Sequence, residues 1–95
     1  MNDKLIGLAW TNFPGKRSNR TVLMAIAESC NFHGNGHRHI AKLASASRLS
    51  PSTVFVAIKA LRRDRWIFTD RVTGQGGFLI FQINIPKLSR SVRPD

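Results

Sequence analysis

The chain has 95 residues, 42% of them hydrophobic, enough for one small domain with one compact core and too few for two. Its 15 lysines and arginines against 5 acidic residues give a net charge of +10, far beyond what solubility requires, so a polyanion is the expected partner. The cations are spread over several elements and no apolar run could span a bilayer, which favours nucleic acid over a membrane and, with no signal-like segment at the start, points to the cytoplasm.

Leu5, Ile6, Leu8 and Trp10 form an apolar patch too short to classify, expected to pack on the core or on a partner. Phe13, Pro14 and Gly15 read as a turn. Lys16, Arg17 and Arg20 then lead into a helix that Ser18 or Asn19 can cap; these cations suit either a phosphate contact or a solvated helix end. Val22, Leu23, Ile26, Ala27 and Cys30 supply the buried stripe of this helix, which ends before the glycine-rich NFHGNGH loop. The single Cys30 has no partner for an internal disulfide and reads as a small buried hydrophobe. Cys30, His33, His37 and His39 cluster in sequence, but their spacing fits no zinc module, and neither a metal nor a cofactor is expected.

The organising stretch is 40–66, a short helix, a tight turn and a longer helix. Ile40, Leu43 and Ala44 give the short helix one apolar stripe, and Leu49 in the turn is the expected apolar plug between the two helices. Ser50 followed by Pro51 starts the second helix, because the hydroxyl can accept from an orphan amide and proline's fixed φ suits the first helical position. Val54, Ala57, Ile58 and Leu61 share a face that should be buried. Ser52, Val56, Lys59 and Arg63 fall opposite, with Phe55 and Ala60 beside them. Small polar, cationic and apolar groups in that mixture suit base edges, thymine methyls and phosphates in a major groove; a merely solvated face would leave Phe55 and Val56 unexplained.

Arg62, Arg63, Asp64 and Arg65 make a charge-dense helix end, where cations also suit the negative end of the helix dipole. Residues 66–72 and 78–85 read as two strands, with Leu79, Phe81, Ile83 and Ile85 alternating onto one side. Residues 73–77, TGQGG, form the hairpin tip beside Arg71, which is either a plain turn or a wing lying against the sugar–phosphate backbone or in a minor groove. Pro86 ends the second strand, and 87–95 read as a flexible basic tail carrying Lys87, Arg90 and Arg93, or as the start of a linker.

With these pieces in place, residues 20–84 resemble the winged helix-turn-helix domains of phage and plasmid replication and maintenance proteins and of some bacterial regulators. The matching runs are VLMAIAE, FHGNGH, IAKLA, LSPSTVFVAIKAL, WIF and GGFLIFQINI, of which LSPSTV is the strongest, being similar to the LS-x-x-TV start of the family's recognition helix. The resemblance implies a mainly α fold with a small β-hairpin, a winged helix-turn-helix domain over 1–86. It also implies a recognition helix over 50–63 entering the major groove and a wing over 71–77 on the backbone or minor groove, and carried over by position it points to Ser50, Ser52, Thr53, Lys59 and Arg71. Arg48 stands where the family usually has glycine, at about 1 kcal/mol if left-handed. His39 opens the first helix where a serine cap is usual, and Phe55 and Val56 replace a polar pair, which favours methyl or shape readout.

The resulting expectation is a sequence-specific double-stranded DNA-binding protein without catalysis, acting as a homodimer or as monomers side by side on repeated sites. The residues predicted to touch DNA are Arg20, Arg48, Ser50, Ser52, Thr53, Phe55, Val56, Lys59, Arg62, Arg63, Arg71 and Gln75. Plasmid or phage roles follow from the resemblance: a regulator or stability factor, or the origin-binding part of a replication initiator. An enzyme is not expected, because the acidic residues are scattered and no nucleophile lies near an obvious base. A winged-helix protein-interaction module docking through Phe55 and Val56 is the alternative outside DNA binding.

Overall fold

The computed structural model describes residues 3–31, 33–71 and 78–90, with the backbone alone for Asp3, Arg71 and Phe78. Along these residues run α1 (Asp3–Asn12), α2 (Arg17–Glu28), β1 (Asn35–His39), α3 (Ile40–Ser47), α4 (Pro51–Arg63), β2 (Ile67–Arg71), β3 (Phe78–Ile83) and α5 (Ile85–Arg90). The fold is mainly helical, with a small antiparallel sheet of order β1-β3-β2.

Apolar periodicity accounts for the centre of the molecule. Val22, Leu23, Ile26 and Ala27 from α2 are buried against Leu43 and Ala44 of α3 and Val54, Ala57, Ile58 and Leu61 of α4, and Cys30, expected on the helix stripe, joins them from just beyond the end of α2, where it bridges to Gly36. Leu49, in the turn between α3 and α4, is half-buried against the same cluster. The sheet adds Ile67, Leu79, Phe81 and Ile83, the alternate residues that the pleat turns inward. Burial among these groups pushes the Cys30 thiol up to about 11, since a thiolate there would lose its hydration.

Four parts differ from the sequence expectation or are left open by it. The N-terminal apolar patch is the helix α1, whose Leu5 and Ala9, one turn apart, are buried with Phe13, while Trp10 is 59% exposed. Helix α2 begins at Arg17 with Lys16 at its N-cap and no side-chain bond there, so neither Ser18 nor Asn19 caps it.

The glycine-rich loop contains the strand β1, so the sheet has a third strand beside the expected hairpin. Its pairing with β3 runs from Asn35 opposite Gln82 to His39 opposite Phe78. An apolar alternation is missing because the less exposed positions are Gly36 and Arg38. A Cβ on Gly36 would stand 2.4 Å from the Ser29 carbonyl oxygen, so close backbone approach demands glycine. The Arg38 guanidinium donates to the Ala25 carbonyl at 3.3 Å.

The fourth difference lies at the C-terminal end, where Lys87 and Arg90, read as part of a flexible tail, belong to α5. Proline at the second position of that helix lacks only an amide that would go unbonded there. The Asn84 side chain accepts from the Lys87 amide at 3.3 Å, and Leu88 is fully buried. Residues 91–95 lie outside the described residues.

Helices α3 and α4 end alike. Arg48 has φ 58° and Arg65 φ 62°, the left-handed region that favours glycine. The Leu49 amide donates to the Ala44 carbonyl at 3.1 Å and the Trp66 amide to the Leu61 carbonyl at 2.9 Å, closing each helix. Arginine in that conformation costs about 1 kcal/mol per site relative to glycine.

Candidate nucleic-acid interface

The longest helix, α4, is anchored at both ends and presents one face to solvent. At its start Ser50 accepts from the Thr53 amide at 3.2 Å, and the Ser50 and Thr53 hydroxyls lie 2.9 Å apart. At its end the Asn84 side-chain amide donates to the Arg65 carbonyl at 2.9 Å, and the Lys87 ammonium donates to the Asp64 carbonyl and lies 4.4 Å from the Trp66 ring centroid. Trp66 meets Phe13 edge-on with centroids 5.2 Å apart, which fixes this end of α4 against the segment joining α1 and α2.

Between these anchors the buried stripe leaves Ser52, Val56, Lys59 and Arg63 exposed together along the opposite side. Val56 is 66% exposed and Phe55 37%, and the Lys59 ammonium stands 4.9 Å from the Phe55 ring centroid. Arg62 lies beside this stripe, and Arg48 is exposed in the turn just before α4. Arg63 pairs with Asp64 at 3.6 Å, with both side chains largely in water, so the pair contributes little and leaves the cation accessible.

Phe55, Lys59 and Arg62 also form one wall of a cleft of about 350 Å³ whose other wall is Thr69, Asp70 and Leu79. Strand β2 therefore runs alongside α4. Thr69, Asp70 and the exposed Arg65 are additions to the predicted surface. Identifying the first two requires the strand register, whereas Arg65 stands in a run of charges that already mark the helix end.

Of the predicted residues, the structure brings Arg48, Ser50, Ser52, Thr53, Phe55, Val56, Lys59, Arg62 and Arg63 together on and around α4. Arg20 is placed elsewhere: its guanidinium donates to the Phe13 carbonyl at 3.1 Å and lies 5.6 Å from the Trp10 ring centroid, holding α2 to the end of α1. The Arg71 backbone ends β2 opposite Leu79. The hairpin tip, with Gln75, lies outside the described residues.

Cys30 is buried in the core while His33, His37 and His39 are exposed, and among the described residues no group of three or more metal-binding side chains converges. His39 caps α3 instead, its Nδ1 accepting from the Ala41 amide at 3.2 Å. No helix among the described residues is long and apolar enough to cross a membrane. Comparison with protein-family models, with curated proteins and with solved structures finds no match.

Proposed function

We propose that this chain is a winged helix-turn-helix domain that binds double-stranded DNA sequence-specifically, with α4 in the major groove and the β2–β3 connection against the backbone or a minor groove. The observation that carries the reading is the outer face of α4, where an exposed apolar pair adjoins Lys59, Arg62 and Arg63 on a protein of net charge +10. A solvated helix has no use for that pair, and a protein-docking face has no use for that charge.

The order helix, strand, helix, turn, helix and antiparallel strand pair from α2 to β3 supports the winged architecture. A helix about 10–12 Å across fits a major groove about 12 Å wide, and the 13 residues of α4 reach about 20 Å along it. In this arrangement Lys59, Arg62, Arg63 and Arg48 hold phosphates and set the register, and Ser52, Phe55 and Val56 face bases. A bacterial regulator or stability factor acting on plasmid or phage DNA at repeated sites, as a homodimer or as adjacent monomers, fits this chemistry. An origin-binding role in replication uses the same contacts.

Selection of bound duplexes from a random-sequence library at physiological salt tests the proposal, because salt suppresses purely electrostatic binding. One enriched motif is expected, lost when Ser52 and Lys59 are changed to Ala. Binding without enrichment would overturn sequence specificity, and no binding would overturn the DNA reading.

A further inference from the structure

Side chains that read bases in the major groove divide by chemistry: amides pair with adenine, carboxylates accept from cytosine, and arginine or lysine donates to guanine. Helix α4 contains no asparagine, glutamine, aspartate or glutamate. Its cations, Lys59, Arg62 and Arg63, all lie in its second half. Of the hydroxyls in its first turn, that of Thr53 is engaged with Ser50 at 2.9 Å. The middle of the outer face is therefore apolar, with Val56 66% exposed next to Phe55. The one apolar group that a base pair presents in this groove is the C5-methyl of thymine.

We propose that Val56, backed by Phe55, reads thymine C5-methyl groups. The inference rests on the duplex-DNA reading of α4 given above. Lys59 supports the contact from beside it, since its ammonium, held 4.9 Å from the Phe55 ring centroid, lies one turn further along the helix and suits the phosphate next to the methyl. The charge of the whole protein makes a polyanion the occupant of this face, and in duplex form only DNA regularly carries the methyl, because RNA has uracil in thymine's place. Moving one methyl from water onto an apolar side chain changes affinity about fourfold.

The test uses the duplex enriched from the random library. Each thymine is replaced singly by deoxyuridine, which removes the methyl and keeps every hydrogen-bonding group, and Kd is measured for the wild-type chain and for Val56→Ala. Val56 is so exposed that this variant should keep its thermal midpoint. The expected result is a loss of about fourfold at one or two thymines in the wild type, disappearing in the variant, whose affinity for the parent duplex is already lower by a similar factor. An enriched duplex that tolerates deoxyuridine everywhere, or that contains no thymine, would overturn methyl readout while leaving DNA binding intact. If no duplex is bound, both readings fail together. Repeating the selection with 5-methylcytosine in place of cytosine separates the two sources of a pyrimidine methyl: recovery of the same thymine-bearing motif is expected, and a switch to 5-methylcytosine would overturn thymine as the group read.

Discussion

A cation lies over an aromatic ring in two quite different regions of this molecule. Around the far end of α4, Arg20 lies over Trp10 and Lys87 over Trp66, and each of these cations also donates to a backbone carbonyl, of Phe13 and of Asp64. On the outer face of α4, Lys59 lies over Phe55 with no carbonyl bond among the described residues. The first arrangement joins helix ends and uses the charge internally. The second leaves its donors directed at solvent, on the face proposed to meet DNA. Equal net charge thus has unequal meaning, and a count of lysines and arginines overstates the charge left free on the surface.

The strongest way to break this contrast is to neutralise the α4 side. Changing Lys59, Arg62 and Arg63 to Ala should flatten the dependence of log K on log salt by about 0.9 for each phosphate-facing charge removed, measured by titration at several salt concentrations. Stability should change by no more than about 0.5 kcal/mol per site, since all three are exposed. Arg20→Met is the complement: it should lower the unfolding free energy by about 1–2 kcal/mol in urea and leave the salt slope unchanged. A fall in slope with that variant would return Arg20 to the DNA-facing set.

Arg48 sharpens the comparison because its two effects oppose each other. Replacing it by glycine relieves the left-handed backbone and should raise stability by about 0.5–1 kcal/mol, while weakening DNA binding through the lost charge. Arg65→Gly should bring a similar stability gain at the end of α4. If Arg48→Gly gains stability with no loss of affinity, Arg48 belongs outside the interface.

An effect confined to alkaline pH concerns Cys30. Its folded thiol is raised from 9.0 to about 11, so the native state holds this proton more tightly than the unfolded chain does. Stability from this group is fully present below about 9 and is lost as pH rises toward 11. Denaturant midpoints measured across that window should fall less steeply in Cys30→Ala than in the wild type.

The central helices were legible because each buries one stripe at helical spacing, and Ser50–Pro51 marks the start of α4 by its own chemistry. What escaped the sequence is held by partners distant in the chain. Strand β1 has Gly36 and Arg38 at its less exposed positions, so only pairing with β3 defines it. Helix α5 has the single buried Leu88 and opens with a proline that resembles a terminator. The outer face of α4 was legible for the same reason as its core face, since one periodicity assigns both. Arg20 was not, because a cation at a helix start looks the same in sequence whether it meets a phosphate or the carbonyl of Phe13.

The bonds from Asn84 and Lys87 fall on the carbonyl end of α4, while the Ser50 hydroxyl holds its amide end. The side chains proposed to meet bases, Ser52, Phe55 and Val56, sit on the half of the helix away from the Asn84 and Lys87 bonds. Complex formation should carry an entropic penalty concentrated in that half, seen as slower amide exchange in the first turns of α4 than in the free protein.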